Sequence, residues 1–203
     1  HPVPEDHTPQ SYLGQLCNEA AYRRYGSILP RIKERLEQEL RLIEKYNLAG
    51  FLLTYHDIIL LAREAAIDLG VADPKVPMEV NPPGRGRGSS VSMLVGYLLG
   101  LSHIDPLQYD LSLDRFLPED QLSSVPDIDL DFPRNIREEL IKRVHEKWGW
   151  DHATLTGMIS TYKMKGAIRD LGKALGLPHQ EVDKLAKRVD SHSAKSLQIE
   201  MLT

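Results

Sequence analysis

The sequence predicts an α/β (α+β) fold in which helices flank a sheet. Three patterns carry that expectation. Apolar stripes recur at helical spacing, as in Ile32, Leu36, Leu40 and Ile43 with Lys, Arg and Glu between them. The short run Gly50-Phe51-Leu52-Leu53-Thr54-Tyr55 reads as a buried strand leading into a helix from Asp57 to Leu69, a βα unit. Pro126-Asp127-Ile128-Asp129-Leu130-Asp131-Phe132 alternates carboxylate with apolar residue, the period of a strand with one wet face.

The remaining elements follow in order. Thr8-Pro9 suits an N-cap and first turn for a helix to Arg24, stopped before Gly26, and the Ile32 stripe extends a second helix from Pro30 to about Asn47. Pro74, Pro77, Pro82 and Pro83 make residues 73–83 a loop. Ser89 or Ser90 is positioned to cap an apolar helix from Val91 to Leu99, and Ile104-Asp105-Pro106 marks a turn. Helices are expected near 135–147, 163–175 and 178–189, with a short apolar stretch around 153–159.

Composition narrows the function classes. In 203 residues, 41% are hydrophobic and 27% charged, and no apolar run approaches the ~20 residues of a membrane span. The single Cys17 excludes a disulfide framework and fits a reducing cytosol, and a start at His1-Pro2 is expected of an internal fragment rather than of a natural initiator. Charge is segregated: residues 134–195 carry 13 Lys/Arg against 8 Asp/Glu, the rest 12 against 21. A basic segment of this kind fits either a local polyanion contact or ordinary solvated helices.

On a strand, Asp127, Asp129 and Asp131 share one face. Asp127 and Asp129 lie roughly 6.6 Å apart along it, where their repulsion is on the order of 2.5 kcal/mol at an effective dielectric near 20. A hard divalent cation relieves that repulsion, with water and phosphate oxygens completing its shell. Asp131, about 13 Å from Asp127, is too distant to share the ion without a bend. A solvent-facing strand and a carboxylate acid/base pair stay open as alternatives. Gly84-Arg85-Gly86-Arg87-Gly88-Ser89-Ser90 brings free amides and two guanidinium groups together, which suits a phosphate, although such a loop also serves as a plain connector. It lacks the Lys-Ser/Thr of a Walker A loop and the third Gly of a dinucleotide fingerprint. An anion cradle and a cation strand together describe metal-assisted phosphoryl or nucleotidyl transfer.

SYLGQLCNEAAYRRYG, RLEQELRLIEKYNLAGFLLTYHDII, GRGSSVSMLVGYLLGLSHIDPLQYDLSLDRFLPE, PDIDLDFPRNIREELI and AIRDLGKALGLP resemble, in order and spacing, the bacterial DNA polymerase III alpha subunit, the C-family of DNA polymerases. The resemblance implies a polymerase-beta-like nucleotidyltransferase palm with a mixed sheet over residues 1–158 and the start of a helical thumb over 159–203. It implies that Asp127 and Asp129 are catalytic and hold two Mg²⁺ ions, for which Mn²⁺ can substitute. Arg87, Gly88, Ser89 and Arg115, the last in a DRF matching the family's ERF, would bind the triphosphate. Lys163, Lys165, Arg169 and Lys173 are expected along the DNA backbone, Arg169 and Lys173 sharing a helical face.

The expected partners are primer-template DNA and dNTP, with a sliding clamp and other replication proteins bound through regions outside this chain, and the expected location is the cytoplasm. There are three departures. The third catalytic aspartate is expected beyond Thr203, which leaves this chain alone inactive. PEDQLSSV, between Phe116 and Asp127, lacks the family's usual Arg. Ser160 to Gly166 replaces the usual TFG-containing segment and resembles the error-prone branch. The alternative from another class is a non-catalytic nucleic-acid-binding or scaffold module with structural aspartates.

Overall fold

A computed structural model of the chain describes residues 1–120, 122, 125–159 and 161–189. Helices dominate: α1 (Pro9–Tyr25), α2 (Pro30–Lys45), α3 (Ala49–Asp68), α4 (Leu94–Leu98), α5 (Arg137–Trp148), α6 (Met164–Ala174) and α7 (His179–Arg188). The sheet among the described residues is antiparallel and has two strands, β1 (Arg85–Arg87) and β2 (Asp129–Asp131), rather than the mixed sheet expected.

Local chemistry explains most boundaries. Thr8 caps α1 in a reciprocal pair with Ser11, and Gly26 ends it at φ 69°, a left-handed conformation that glycine adopts without strain. Pro30 opens α2 at a position where its missing amide costs nothing.

Residues 50–55 are a correction: they lie inside α3, and no βα unit exists there. A short apolar run cannot distinguish strand from helix by itself. The longer register decides it. Ala49, Leu52, Leu53, Ile59, Ala62 and Ala66 are buried at helical spacing, and no proline interrupts residues 31–73.

The expected Val91–Leu99 helix is also shorter. A 3-10 turn occupies Gly88–Ser92 before α4, and neither Ser89 nor Ser90 caps the helix. The cap comes from α2. Glu39, fully buried, accepts the amides of Leu94 and Val95, both at 2.8 Å, and the Arg35 Nε at 2.7 Å. Arg35 in turn donates to the carbonyls of Ser92 and Leu111.

The chain divides into two compact units, His1–Thr154 and a second beginning at Leu155. In the first, α1, α2, α3 and α4 enclose one core around Leu13, Leu42, Leu52, Met93 and Leu117. Cys17 is buried in it, and burial pushes its thiol well above the ordinary range, so it packs as an inert hydrophobe. A smaller cluster of Ala62, Ala66, Ile136 and Leu140 joins α3 to α5, aided by Arg143 on Asp68 at 2.7 Å. Buried Arg63 donates to the carbonyls of Asp73, Val76 and Asn81, which fixes the proline-rich loop that precedes β1. In the second unit α6 packs on α7 where Gly172 meets Val182.

Candidate nucleotide site

β1 is the first part of the glycine loop and β2 lies in the carboxylate strand, so their pairing joins the two motifs. The register sets Arg85 opposite Asp131, Gly86 opposite Leu130 and Arg87 opposite Asp129. Opposite residues of an antiparallel pair project to the same face, so two arginines and two carboxylates share one surface. From 127 to 132 the alternation is maintained: Asp127, Asp129 and Asp131 are exposed, while Ile128, Leu130 and Phe132 turn toward the core.

Two glycines permit this approach. A Cβ on Gly86 would stand 2.4 Å from the Leu101 carbonyl oxygen, which already accepts the Gly86 amide at 2.6 Å, and one on Gly84 would stand 2.6 Å from the Phe132 ring. Gly88 turns the chain at φ 75° and leaves Asp129 Oδ2 uncovered, 4.0 Å from where its own Cβ would be. The amides of Gly88 and Ser89 open the 3-10 turn and have no acceptor within it. Ser90 Oγ instead donates to the Arg87 carbonyl and Ser92 Oγ to that of Ser89, which stiffens the turn.

The structure thus brings together Arg87, Gly88 and Asp129, with Ser89 next in the turn and Asp127 exposed two residues before Asp129, just outside β2. Arg115 is exposed on the segment between buried Leu113 and Phe116, and among the described residues no hydrogen bond or ion pair ties it to either strand. Lys163, Lys165, Arg169 and Lys173 belong to the second unit and are exposed, with Arg169 Nε bound to Asp183 at 2.9 Å. Ser160, at the head of the branch-specific segment, and the chain beyond Val189 lie outside the described residues.

Sequence patterns missed Tyr55. It sits half-buried on α3, edge-on to Phe51 at 4.9 Å and against the core that holds Ile128. Burial raises its hydroxyl above the usual tyrosine range, the main chain at Ile128 opposes that shift, and the charges of Asp127 and Asp129 add to it. Misreading residues 50–55 as strand hid it, because the helical register is what turns Tyr55 toward the core beside Ile128.

Among the described residues no three His, Cys, Asp or Glu side chains converge as a cation cage. Asp127 and Asp129 nevertheless fit a hard cation that takes only part of its shell from protein: both are exposed, two residues apart on a segment whose intervening Ile128 is buried. An open carboxylate pair beside a guanidinium and unpaired amides is a surface suited to a polyanion carried with a divalent metal.

Comparison with known proteins gives the family of this largely helical chain. The model of the bacterial DNA polymerase III alpha NTPase domain matches residues 11–202, and the chain belongs to that family. It is 35% identical over 196 residues to a DNA polymerase III subunit alpha of Halalkalibacterium halodurans, covering 96% of this chain and 16% of that protein. It is 38% identical over 186 residues to an error-prone DNA polymerase of Burkholderia mallei, covering 91% and 16%. An error-prone DNA polymerase of Vibrio parahaemolyticus matches at 33% over 189 residues, 93% and 17%. The chain therefore spans about a sixth of the length of these relatives, and identity does not separate the two kinds.

Proposed function

We propose that this chain carries two of three catalytic aspartates and the triphosphate loop of a DNA-directed DNA polymerase. The observation that supports it is the strand register, which sets Arg87 opposite Asp129. In this reading residues 1–158 belong to a polymerase-beta-like palm and residues from 159 begin a thumb. Asp127 and Asp129 hold Mg²⁺, or Mn²⁺ in its place. When bound, the metal activates a primer 3′-hydroxyl and neutralises the leaving pyrophosphate.

The residues' own tasks follow from their chemistry. Arg87 and the amides of Gly88 and Ser89 take the triphosphate oxygens, with donors fixed in place before charge develops. Arg115 adds a second guanidinium. Ile128, Leu130 and Phe132 anchor the strand so that its carboxylates cannot retreat into the core. Lys163, Lys165, Arg169 and Lys173 follow duplex phosphates. The partners are primer-template DNA and dNTP, with clamp and replication proteins bound elsewhere in the polymerase, in the cytoplasm. No described helix is long and apolar enough to cross a membrane.

Primer extension by the intact polymerase tests the assignment. Asp127→Asn and Asp129→Asn are each expected to lower the rate by at least about a hundredfold without lowering the melting temperature. DNA binding indifferent to metal, together with unchanged extension by both variants, would favour a scaffold with structural aspartates instead. Charge reversal at Lys163 and Lys173 is expected to flatten the salt dependence of DNA binding.

A further inference from the structure

Arg87 and Asp129 stand directly opposite each other across β1 and β2, where Cβ atoms are about 5 Å apart. A guanidinium facing a carboxylate at that distance ordinarily closes on it, and a closed fork occupies the oxygen lone pairs a cation needs. This pair has not closed. Arg87 donates its Nε to Asp131 Oδ1 at 3.1 Å, on the diagonal, and no ion pair joins it to Asp129 among the described residues. Asp129 Oδ2 lies instead beside Gly88.

We propose that Asp131 is a positioning residue: it draws the Arg87 guanidinium away from Asp129, leaving Asp129 open to a divalent cation. This rests on the assignment of Asp127 and Asp129 as metal ligands. It gives the third carboxylate of the strand a task that its distance from Asp127 does not forbid. The pair is also built to be released. Both side chains are more than half exposed, so the bond is weak and screened, and Arg85 stands opposite Asp131 to neutralise it when Arg87 turns to a triphosphate.

Mn²⁺ binding to the intact polymerase, followed by paramagnetic resonance, tests this without reference to turnover. Asp131→Asn is expected to weaken Mn²⁺ binding roughly three- to fivefold, because Arg87 falls onto Asp129. Removing the competitor should reverse the defect: Asp131→Asn combined with Arg87→Gln is expected to bind Mn²⁺ as Arg87→Gln alone does. Asp131→Glu, which keeps a carboxylate for Arg87, is expected to match the unaltered protein. Unchanged affinity in Asp131→Asn overturns the proposal, and so does a double variant no tighter than Asp131→Asn, since Asp131 would then act as a ligand or as scaffold. Mn²⁺ retained by the Asp127→Asn/Asp129→Asn chain would overturn the metal assignment beneath it, a different result from either.

Discussion

Glu39 shows what a single residue contributes and what a sequence hides. The stripe Ile32, Leu36, Leu40 and Ile43 does pack, with Leu40 partly buried against the core, yet the fully buried set of α2 also holds a carboxylate, Glu39, beside Leu42. Burial raises that carboxyl above its ordinary range, opposed by the Arg35 side chain and by the Val95 and Leu94 amides. A charge pattern cannot reveal this, since Glu39 looks like any surface glutamate until α4 is docked on it. Thr8 and Gly26 were legible because caps and left-handed turns are local chemistry. Glu39→Gln is expected to cost about 1.5–3 kcal/mol in urea unfolding, because its amide nitrogen must face a backbone donor. Loss of triphosphate binding should accompany it, since the 3-10 turn and α4 share that anchor.

The elements divide along the same line. The carboxylate strand was legible because alternation is a property of a few adjacent residues, and its exposed and inward faces are as the period implied. What the sequence did not contain was the partner of that strand, 44 residues away, or the two glycines that admit it. Gly86→Ala is expected to destabilise the first unit by about 1–3 kcal/mol and to separate β1 from β2, measurable by amide exchange at residues 85–87 and 129–131. In the second unit, Asp183 is held below the usual carboxylate range by hydrogen bonds from Arg169 and then Lys187. A lowered carboxyl stabilises above its unfolded value of about 3.8 and loses that contribution as pH falls through the folded value. The melting temperature should therefore exceed that of Asp183→Asn near neutrality, the difference should begin to shrink as pH falls past ~3.8, and the two should converge only below the lowered folded value.

At the scale of the whole chain, helices were readable and the sheet was not. Among the described residues each of the seven helices has an expected counterpart, α3 starting earlier and α4 being shorter than expected, because stripes and caps encode them, whereas the expected mixed sheet reduces to two three-residue strands. The segment between α5 and α6 carries no regular element among its described residues, and Leu155, Met158, Ile159 and Tyr162 are all largely exposed there. Brief chymotrypsin treatment is expected to cut after Leu155, Met158 or Tyr162 before it cuts within α1 to α5, as mass spectrometry of the fragments would show.

The long reach of Glu39 also bears on transplantation. Residues 84–92 look like a portable cassette, a nine-residue loop that a designer would lift onto another scaffold. The amides just beyond it are held by a side chain 55 residues earlier, on a helix that the loop never touches in sequence. A grafted copy would arrive without its keystone, and a growing chain cannot complete this turn until α2 has already found its place.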